Sequence, residues 1–307
     1  MFIKSRMDPL SDILNLLSAK SYTTSGLMAP SGWGLHYPGF DGLKFFAVQK
    51  GTALFRADSS EEWITLKQGD GIILTRACSF SVTTWDGTVS AESEDTPFVL
   101  KEGIADYGGD ALIMIAGKME IDRTSADLLT RELPDVIRIH SDENRASVFT
   151  WLMDYIRAEK MSELPGTAIV TDHLMHLMMI EGIRRGVAQT VDTRQGWLNG
   201  LRDPRIVRAL RVMHQKPGDP WRLPQLAEIA GMSRAGFVRR FSQLTGTTPL
   251  NYLTEWRMRI ASKTLRTSLT PIKIIGFSLG YGSESAFSTA FKRIYGCSPA
   301  EHRRRSS

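Results

Sequence analysis

At 307 residues the chain is longer than one small domain needs, and its 42% apolar, 23% charged and 9% aromatic residues are ordinary globular material. That excludes collagen, wholesale disorder and a disulfide scaffold, and the two cysteines, Cys78 and Cys297, fit a reducing compartment. The net charge of +5 hides an asymmetry: residues 201–307 carry 19 Lys and Arg against 6 Asp and Glu, whereas residues 1–200 carry 19 against 27. An excess of +13 on the C-terminal third is the electrostatic footprint of a nucleic-acid binder, although a solvated basic surface without a partner would give the same count.

In chain order, DPLSDILNLLS (8–18) reads as a short helix, with Asp8 as its cap, Pro9 in its first turn and Leu10, Ile13, Leu14 and Leu17 on one face. The start of the chain has no apolar run before a small-residue cleavage site, and no stretch of 18 apolar residues occurs. The expectation is therefore a cytoplasmic chain that neither carries a standard secretion signal nor spans a membrane. Residues 33–116 read as short strands broken by glycine and polar turns: FFAVQKGTALFRA, EEWITLKQGDGIILT, FSVTTW and ALIMIAG. That pattern predicts an all-β sandwich or barrel. From about residue 144 the period becomes helical. ASVFTWLMDYIRAEK and AIVTDHLMHLMMIEGIRR predict an antiparallel helix pair turning at Leu164-Pro165-Gly166. The polar stretch 187–203 is the predicted domain boundary, and everything after it reads helical.

An internal repeat is the most informative feature. WRLPQLAEIAGMSRAGFVRRFSQLTGTTP (221–249) is echoed by IKIIGFSLGYGSESAFSTAFKRIYGCSP (272–299). Phe237, Phe241, Gly246 and Pro249 recur 50 positions on as Phe287, Phe291, Gly296 and Pro299. Ala227 and Gly231 recur 49 positions on as Gly276 and Gly280. Each copy is a short apolar helix, a glycine-containing turn and a longer helix, which is a helix-turn-helix. The small residues Ala227 and Gly276 let the two helices cross closely. Gly231 and Gly280 suit a left-handed turn. Ser233 and Ser283 can cap the second helices, and the paired phenylalanines lie four apart on one face, where they fill each core. A helix at 250–267, with Tyr252, Leu253, Trp256, Ile260 and Leu265, joins the units. Before them, helix 204–215 buries Ile206, Val207, Leu210 and Met213, and Arg202, Arg205, Arg208 and Arg211 are expected on its solvated face.

Residues 203–305 resemble the DNA-binding domain of the AraC family of bacterial transcription regulators. The second half, IIGFSLGYGSESAFSTAFKRIYGCSPAEHR, carries the resemblance most closely: the Gly-aromatic turn, F-x3-F-K, G-x-S-P and a nearby arginine. It departs at Gly276, Thr289 and His302, where alanine, arginine and tyrosine are usual. Residues 1–190 resemble the cupin-like sensor that precedes such domains, through VQKGTALFRADSSEEWITLKQGDGIILTRACSFSV and its Gly69–Leu74 segment. The resemblance implies an α+β chain: an N-terminal cupin-like β-barrel with a helix pair for sensing and dimerisation, then an all-α domain of two helix-turn-helix units.

By position in the motif, Arg234, Ala235, Val238 and Arg239 of the first recognition helix face bases, as do Glu284, Ser285, Ser288 and Thr289 of the second. Arg222, Lys273, Lys292 and Arg293 are placed for phosphate. Where metal-binding cupins carry their histidines, this chain has Phe45, Phe46 and Phe80, with Thr75 and Ala77 at the Pro and Gly of the usual turn, so no metal and no cofactor are expected. Trp33, His36, Phe46, Arg76, Phe80 and Trp85, on or beside predicted strands, are the candidates to line an effector pocket, or alternatively to fill the core. His173 and His176 could share a metal from one helical face but read better as packed or interface residues. Met175, Met178 and Met179 read as core or dimer contacts, and Cys78 as a buried small hydrophobe or an oxidation sensor. No Walker loop, dinucleotide fingerprint or nucleophile elbow occurs.

The expected function is a sequence-specific, effector-responsive transcription regulator, not an enzyme. Its expected partners are double-stranded DNA, a small organic effector, a second copy of the chain and RNA polymerase. Two other readings are a ligand-independent regulator whose barrel only dimerises, and a barrel with small-molecule enzyme activity.

Overall fold

The computed structural model describes residues 8–12, 21–40, 42–101, 104–120, 133–141, 146–162, 164–189 and 196–306. The chain divides into two compact units, residues 19–191 and residues 192–307, with residues 1–18 belonging to the second.

Among the described residues the first unit is built on twelve strands: β1 (Ser21–Ala29), β2 (Gly34–Tyr37), β3 (Leu43–Lys50), β4 (Thr52–Ala57), β5 (Ile64–Lys67), β6 (Gly71–Leu74), β7 (Phe80–Thr84), β8 (Ala91–Glu92), β9 (Val99–Lys101), β10 (Ile104–Asp106), β11 (Leu112–Glu120) and β12 (Val136–Ile139). They form a seven-stranded sheet, β12-β6-β3-β11-β1-β10-β9, and a five-stranded sheet, β5-β4-β7-β2-β8. Both sheets bury their inner faces in one core that includes Leu27, Phe46, Val48, Phe55, Leu66, Ile72, Phe80, Val82 and Met114. The alternation that produces this is plain in β4, where Ala53, Phe55 and Ala57 are buried and the residues between them are not. Strand β1 is longer than the sequence pattern shows: it pairs with β11 over nine residues, from Ser21↔Glu120 to Ala29↔Leu112.

Helices α1 (Ala146–Ser162) and α2 (Thr167–Gln189) follow. The turn between them contains Gly166, at φ 93. Met175, Met178 and Met179 are buried, so the methionines of α2 are core residues. Gly182 and Gly186 lie four apart on that helix, where any side chain would collide with Ile73 and Ile137 of the sheet. His173 and His176, read from sequence as packed or interface residues, lie exposed on the other face, so they are not packed in this unit. Their polar rings sit on the solvent side of a helix whose apolar stripe is already taken by methionine and leucine.

The second unit is helical: α3 (Trp197–Gly200), α4 (Pro204–Gln215), α5 (Leu223–Ala230), α6 (Arg234–Thr245), α7 (Pro249–Thr267), α8 (Ile272–Ser278), α9 (Glu284–Tyr295) and α10 (Pro299–Ser306). Part of the stretch read as a polar boundary is therefore structured. Trp197 and Leu198 are buried, and the Gly196 N–H donates to the Leu244 carbonyl at 2.8 Å. Residues 9–12 are helical, and Asp8 accepts from the Ser11 N–H at 3.0 Å as the expected cap; residues 13–18 of the predicted helix lie outside the described residues.

Candidate nucleic-acid interface

The two repeats build the same local devices at matching places. Helix α5 ends at Gly231, φ 68, and the turn after α8 passes through Gly280, φ 83, both in the left-handed region that favours glycine. Ser233 then accepts from the Gly236 N–H at 3.2 Å and Ser283 from the Ala286 N–H at 3.1 Å, starting α6 and α9 with capped ends. Phe237, Phe241, Phe287 and Phe291 are fully buried. Around the second pair gather Met258, Ala261, Leu265, Ile275 and Leu279, so α7 forms the floor of the second unit as well as of the first. Gly276 lies under Phe287, close enough that an added methyl would press on its ring at 3.0 Å.

These cores fix what α6 and α9 present outward. Arg234, Ala235 and Arg239 are exposed and Val238 is half-buried. In the same register Glu284, Ser285 and Thr289 are exposed and Ser288 is half-buried. Arg222, Lys273, Lys292 and Arg293 are also exposed. The structure thus brings the candidate base-facing residues together as one row on each recognition helix.

Other arginines do structural work that the sequence does not distinguish from DNA contact. Arg208 is exposed, as expected, yet its guanidinium donates to the carbonyls of Ile229 (3.1 Å) and Ala230 (2.7 Å), closing the C-terminus of α5. Arg257 holds the Pro217 (2.6 Å) and Asp219 (2.9 Å) carbonyls. Asp203 caps α4 by accepting from the Arg205 N–H at 3.0 Å. It also takes the Arg205 side chain at 2.9 and 3.1 Å and Arg240 Nε at 2.9 Å, which ties α6 to α4. Hydrogen bonding from Arg205, and next from Arg240, holds the Asp203 carboxyl far below the usual carboxylate range.

His214 is a buried titratable group of this unit. Its ring stacks on Trp256 at 3.8 Å, its Nε2 lies 2.7 Å from the Tyr252 hydroxyl, and its Nδ1 lies 3.3 Å from Asp12 Oδ2. Burial pushes its pKa down, and Asp12 opposes that shift.

In the cupin unit the six effector candidates scatter. Phe46 and Phe80 pack against each other at 4.8 Å in the core, and Trp33 is buried against Tyr107 at 5.2 Å. His36 contacts Ser81 Oγ at 3.1 Å and lies 3.6 Å from Asp58. Arg76 is exposed beside Asp135 at 3.3 Å, and Trp85 is 68% exposed. Phe45 points to the opposite side of the sheet from Phe46 and meets Met175 over Gly117. One residue that sequence reasoning missed is Lys44, whose ammonium lies 4.9–5.7 Å from the rings of Tyr37, Phe40, Phe46 and Phe80. Burial, assisted by the charge of Lys118, pushes its pKa down to about 8. Cys78 is half-buried, and burial with the Asp135 and Asp58 charges pushes its thiol up, which makes it a poor nucleophile. Among the described residues no cluster of three His, Cys, Asp or Glu could hold a metal, and no helix is long and apolar enough to cross a membrane.

Residues 8–188 match the Cupin family, and residues 226–305 match the Helix-turn-helix domain family. A cupin domain followed by paired helix-turn-helix units defines a class, the DNA-binding transcription regulators. The chain is 35% identical to an AraC-like transcription regulator of Streptomyces antibioticus over 97% of this chain and 99% of that protein. It is 33% identical to another from Streptomyces lividans, over 97% and 98%. The chain therefore belongs to the AraC-like transcription regulators. Among solved structures it is similar to the DNA-binding domain of AdpA in complex with a target DNA, at 32% identity over 34% of this chain and 92% of that one, with a TM-score of 0.32.

Proposed function

We propose that this DNA-binding regulator inserts α6 and α9 into successive major-groove segments about 34 Å apart. In this reading it acts as a cytoplasmic homodimer, answers to a small organic effector held by the cupin unit, passes its signal to RNA polymerase, and works by binding rather than catalysis. The observation that carries the reading is the matched pair of outward rows, Arg234, Ala235, Val238, Arg239 and Glu284, Ser285, Ser288, Thr289, standing on cores and caps of the same design. Arginine can take guanine bidentately, glutamate can accept from cytosine, and valine or alanine can meet a thymine methyl. Arg222, Lys273, Lys292 and Arg293 would neutralise phosphate without reading sequence.

Support for a homodimer comes from α1, where Val148, Trp151 and Tyr155 are 44–56% exposed and the two aromatic rings stack on each other at 5.5 Å. Three large apolar side chains on one helical face are an unusual cost for a monomer surface. Binding of the full chain to sites selected from random duplex DNA tests the reading. Footprinting should protect two segments one helical turn apart, and log K against log salt should fall with a slope near −4 to −8, about −0.9 for each phosphate contact. A single protected segment or a flat salt response would overturn it. Sedimentation of Trp151→Glu should show dissociation to monomer.

A further inference from the structure

We propose that the cupin unit takes its ligand in a cavity on the outer side of the seven-stranded sheet, beneath α1, and that the ligand is a small amphipathic anion with an apolar body and a carboxylate head. This rests on the effector-responsive reading above and gives it a place and a chemical class.

The cavity measures about 250 Å³. Ile113 and Ile115 of β11 and Ile156 of α1 supply apolar walls, and the polar lining is Ser25, Gln49, Arg157 and Lys160. At interior packing density such a space holds about ten to fifteen non-hydrogen atoms.

Three observations select the ligand class. Gln49 is the extra residue of a β-bulge: Ile113 pairs with Lys50 and Met114 with Val48, so Gln49 falls between two ladder positions. Bulges re-aim a side chain, and here the Gln49 amide is buried with both its oxygen and its nitrogen lacking a hydrogen-bond partner. A buried amide with neither end satisfied is costly; a ligand carboxylate accepts from its N–H group, and an ordered water carried with the ligand donates to its oxygen.

Arg157 and Lys160 lie three apart on α1 and reach the same cavity. Burial lowers the Lys160 pKa, which a bound carboxylate would reverse. Among the described residues that line the cavity there is no aspartate or glutamate, so nothing there would welcome an amine. The cations stand on α1 and the amide on β3, so a ligand held by both fixes the helix on the sheet. That helix also carries Trp151 and Tyr155, which links occupancy of the cavity to the proposed dimer face.

The test uses the full chain with three probes of one chain length: decanoate, decanol and decyltrimethylammonium, titrated by calorimetry. Decanoate should bind, decanol at least tenfold more weakly, and the cation without saturation. Arg157→Gln combined with Lys160→Gln should weaken decanoate at least tenfold and leave decanol unchanged, while Ile113→Trp should abolish both. A decanoate analogue carrying a diazirine should crosslink to peptides of α1 and β11 in the native chain, a readout that does not depend on any variant folding. Equal binding of decanoate and decanol, indifference to the charge substitutions, crosslinking elsewhere, or no binding of decanoate would each overturn the site. The effector reading fails separately if decanoate binds as expected yet changes neither DNA affinity nor dimerisation. It survives the loss of this site if another compound alters DNA affinity equally in the native chain and in Ile113→Trp.

Discussion

Replacing Asp203 tests whether the electrostatic tie between α4 and the first recognition helix is structural. The residue is 6% exposed and accepts four hydrogen bonds at once: one from the Arg205 N–H, two from the Arg205 guanidinium and one from Arg240 Nε. Loss of the cap costs about 1 kcal/mol. Loss of charge-assisted bonds adds roughly 1.5–3 kcal/mol before screening, and both arginines are more than two-fifths exposed, so the lower end applies. Asp203→Ala should therefore destabilise the second unit by about 2–3 kcal/mol, a fall in its calorimetric Tm of about 8–12 °C. Asp203→Asn keeps an oxygen for the Arg205 N–H and should lose only about 1 kcal/mol.

The pH dependence has a definite sign. The folded carboxyl titrates below its unfolded value, so the stabilisation is present above about pH 4 and is lost as pH falls toward the folded pKa. Asp203→Asn should flatten that acid limb. If both variants melt within 1 °C of the native chain at pH 7, the bonds to Arg205 and Arg240 contribute nothing to stability and the reasoning is refuted.

Arg239→Ala should lose roughly 1–3 kcal/mol on a preferred site and relax discrimination at one base pair, whereas Lys292→Ala should weaken all sequences alike and reduce the salt slope by about 1. Competition binding against random duplex separates the two, and equal losses on specific and random DNA would undo the assignment of roles. Gly280→Ala places a methyl against the Gly218 carbonyl oxygen at φ 83 and should cost roughly 1–3 kcal/mol. Gly231→Ala meets only the end of the Arg208 side chain and should cost about 1 kcal/mol, so urea midpoints should rank the two in that order. His214 is held neutral by burial, against the pull of Asp12 and with Arg259 opposing its charge, so its folded pKa lies below the unfolded value near 6.5. The unfolded state then binds the extra proton, and the second unit should lose stability as pH drops below about 6.5. Comparison of Tm at pH 7.5 and 5.5 should show a smaller drop in His214→Gln.

The second unit was legible because its signals are local and written twice. A left-handed glycine, a serine two or three residues later and a phenylalanine pair each act within one turn of chain, whatever surrounds them. The meaning of a given arginine is not local. Arg208 and Arg239 are the same residue on neighbouring helices, and only the carbonyls of Ile229 and Ala230, brought up by tertiary packing, make the first structural. In the cupin unit, SYTTSGLMA offers too few apolar residues to announce a nine-residue strand, because β1 gains its order from pairing with β11. The aromatic pocket candidates mostly fill the core, as Phe46 and Phe80 do, because the same apolar rings suit a pocket wall and a packed interior. Gln49 could not be chosen, because its burial comes from a bulge that no period-two pattern displays.

The short helix at residues 9–12 belongs with the DNA-binding unit, although the whole cupin unit separates it in sequence from His214, the partner of Asp12. In topological terms the cupin unit is an insertion, and the chain passes between the units twice. On the ribosome this imposes an order of events. Asp8 to Asp12 are made before the cupin unit and their partner helix α4 after it, so the cupin unit can complete its core before the Asp12–His214 contact forms. The loop closed by that late contact is nearly two-thirds of the protein, and its closure entropy grows only slowly with length, so the long detour adds little to the cost of docking.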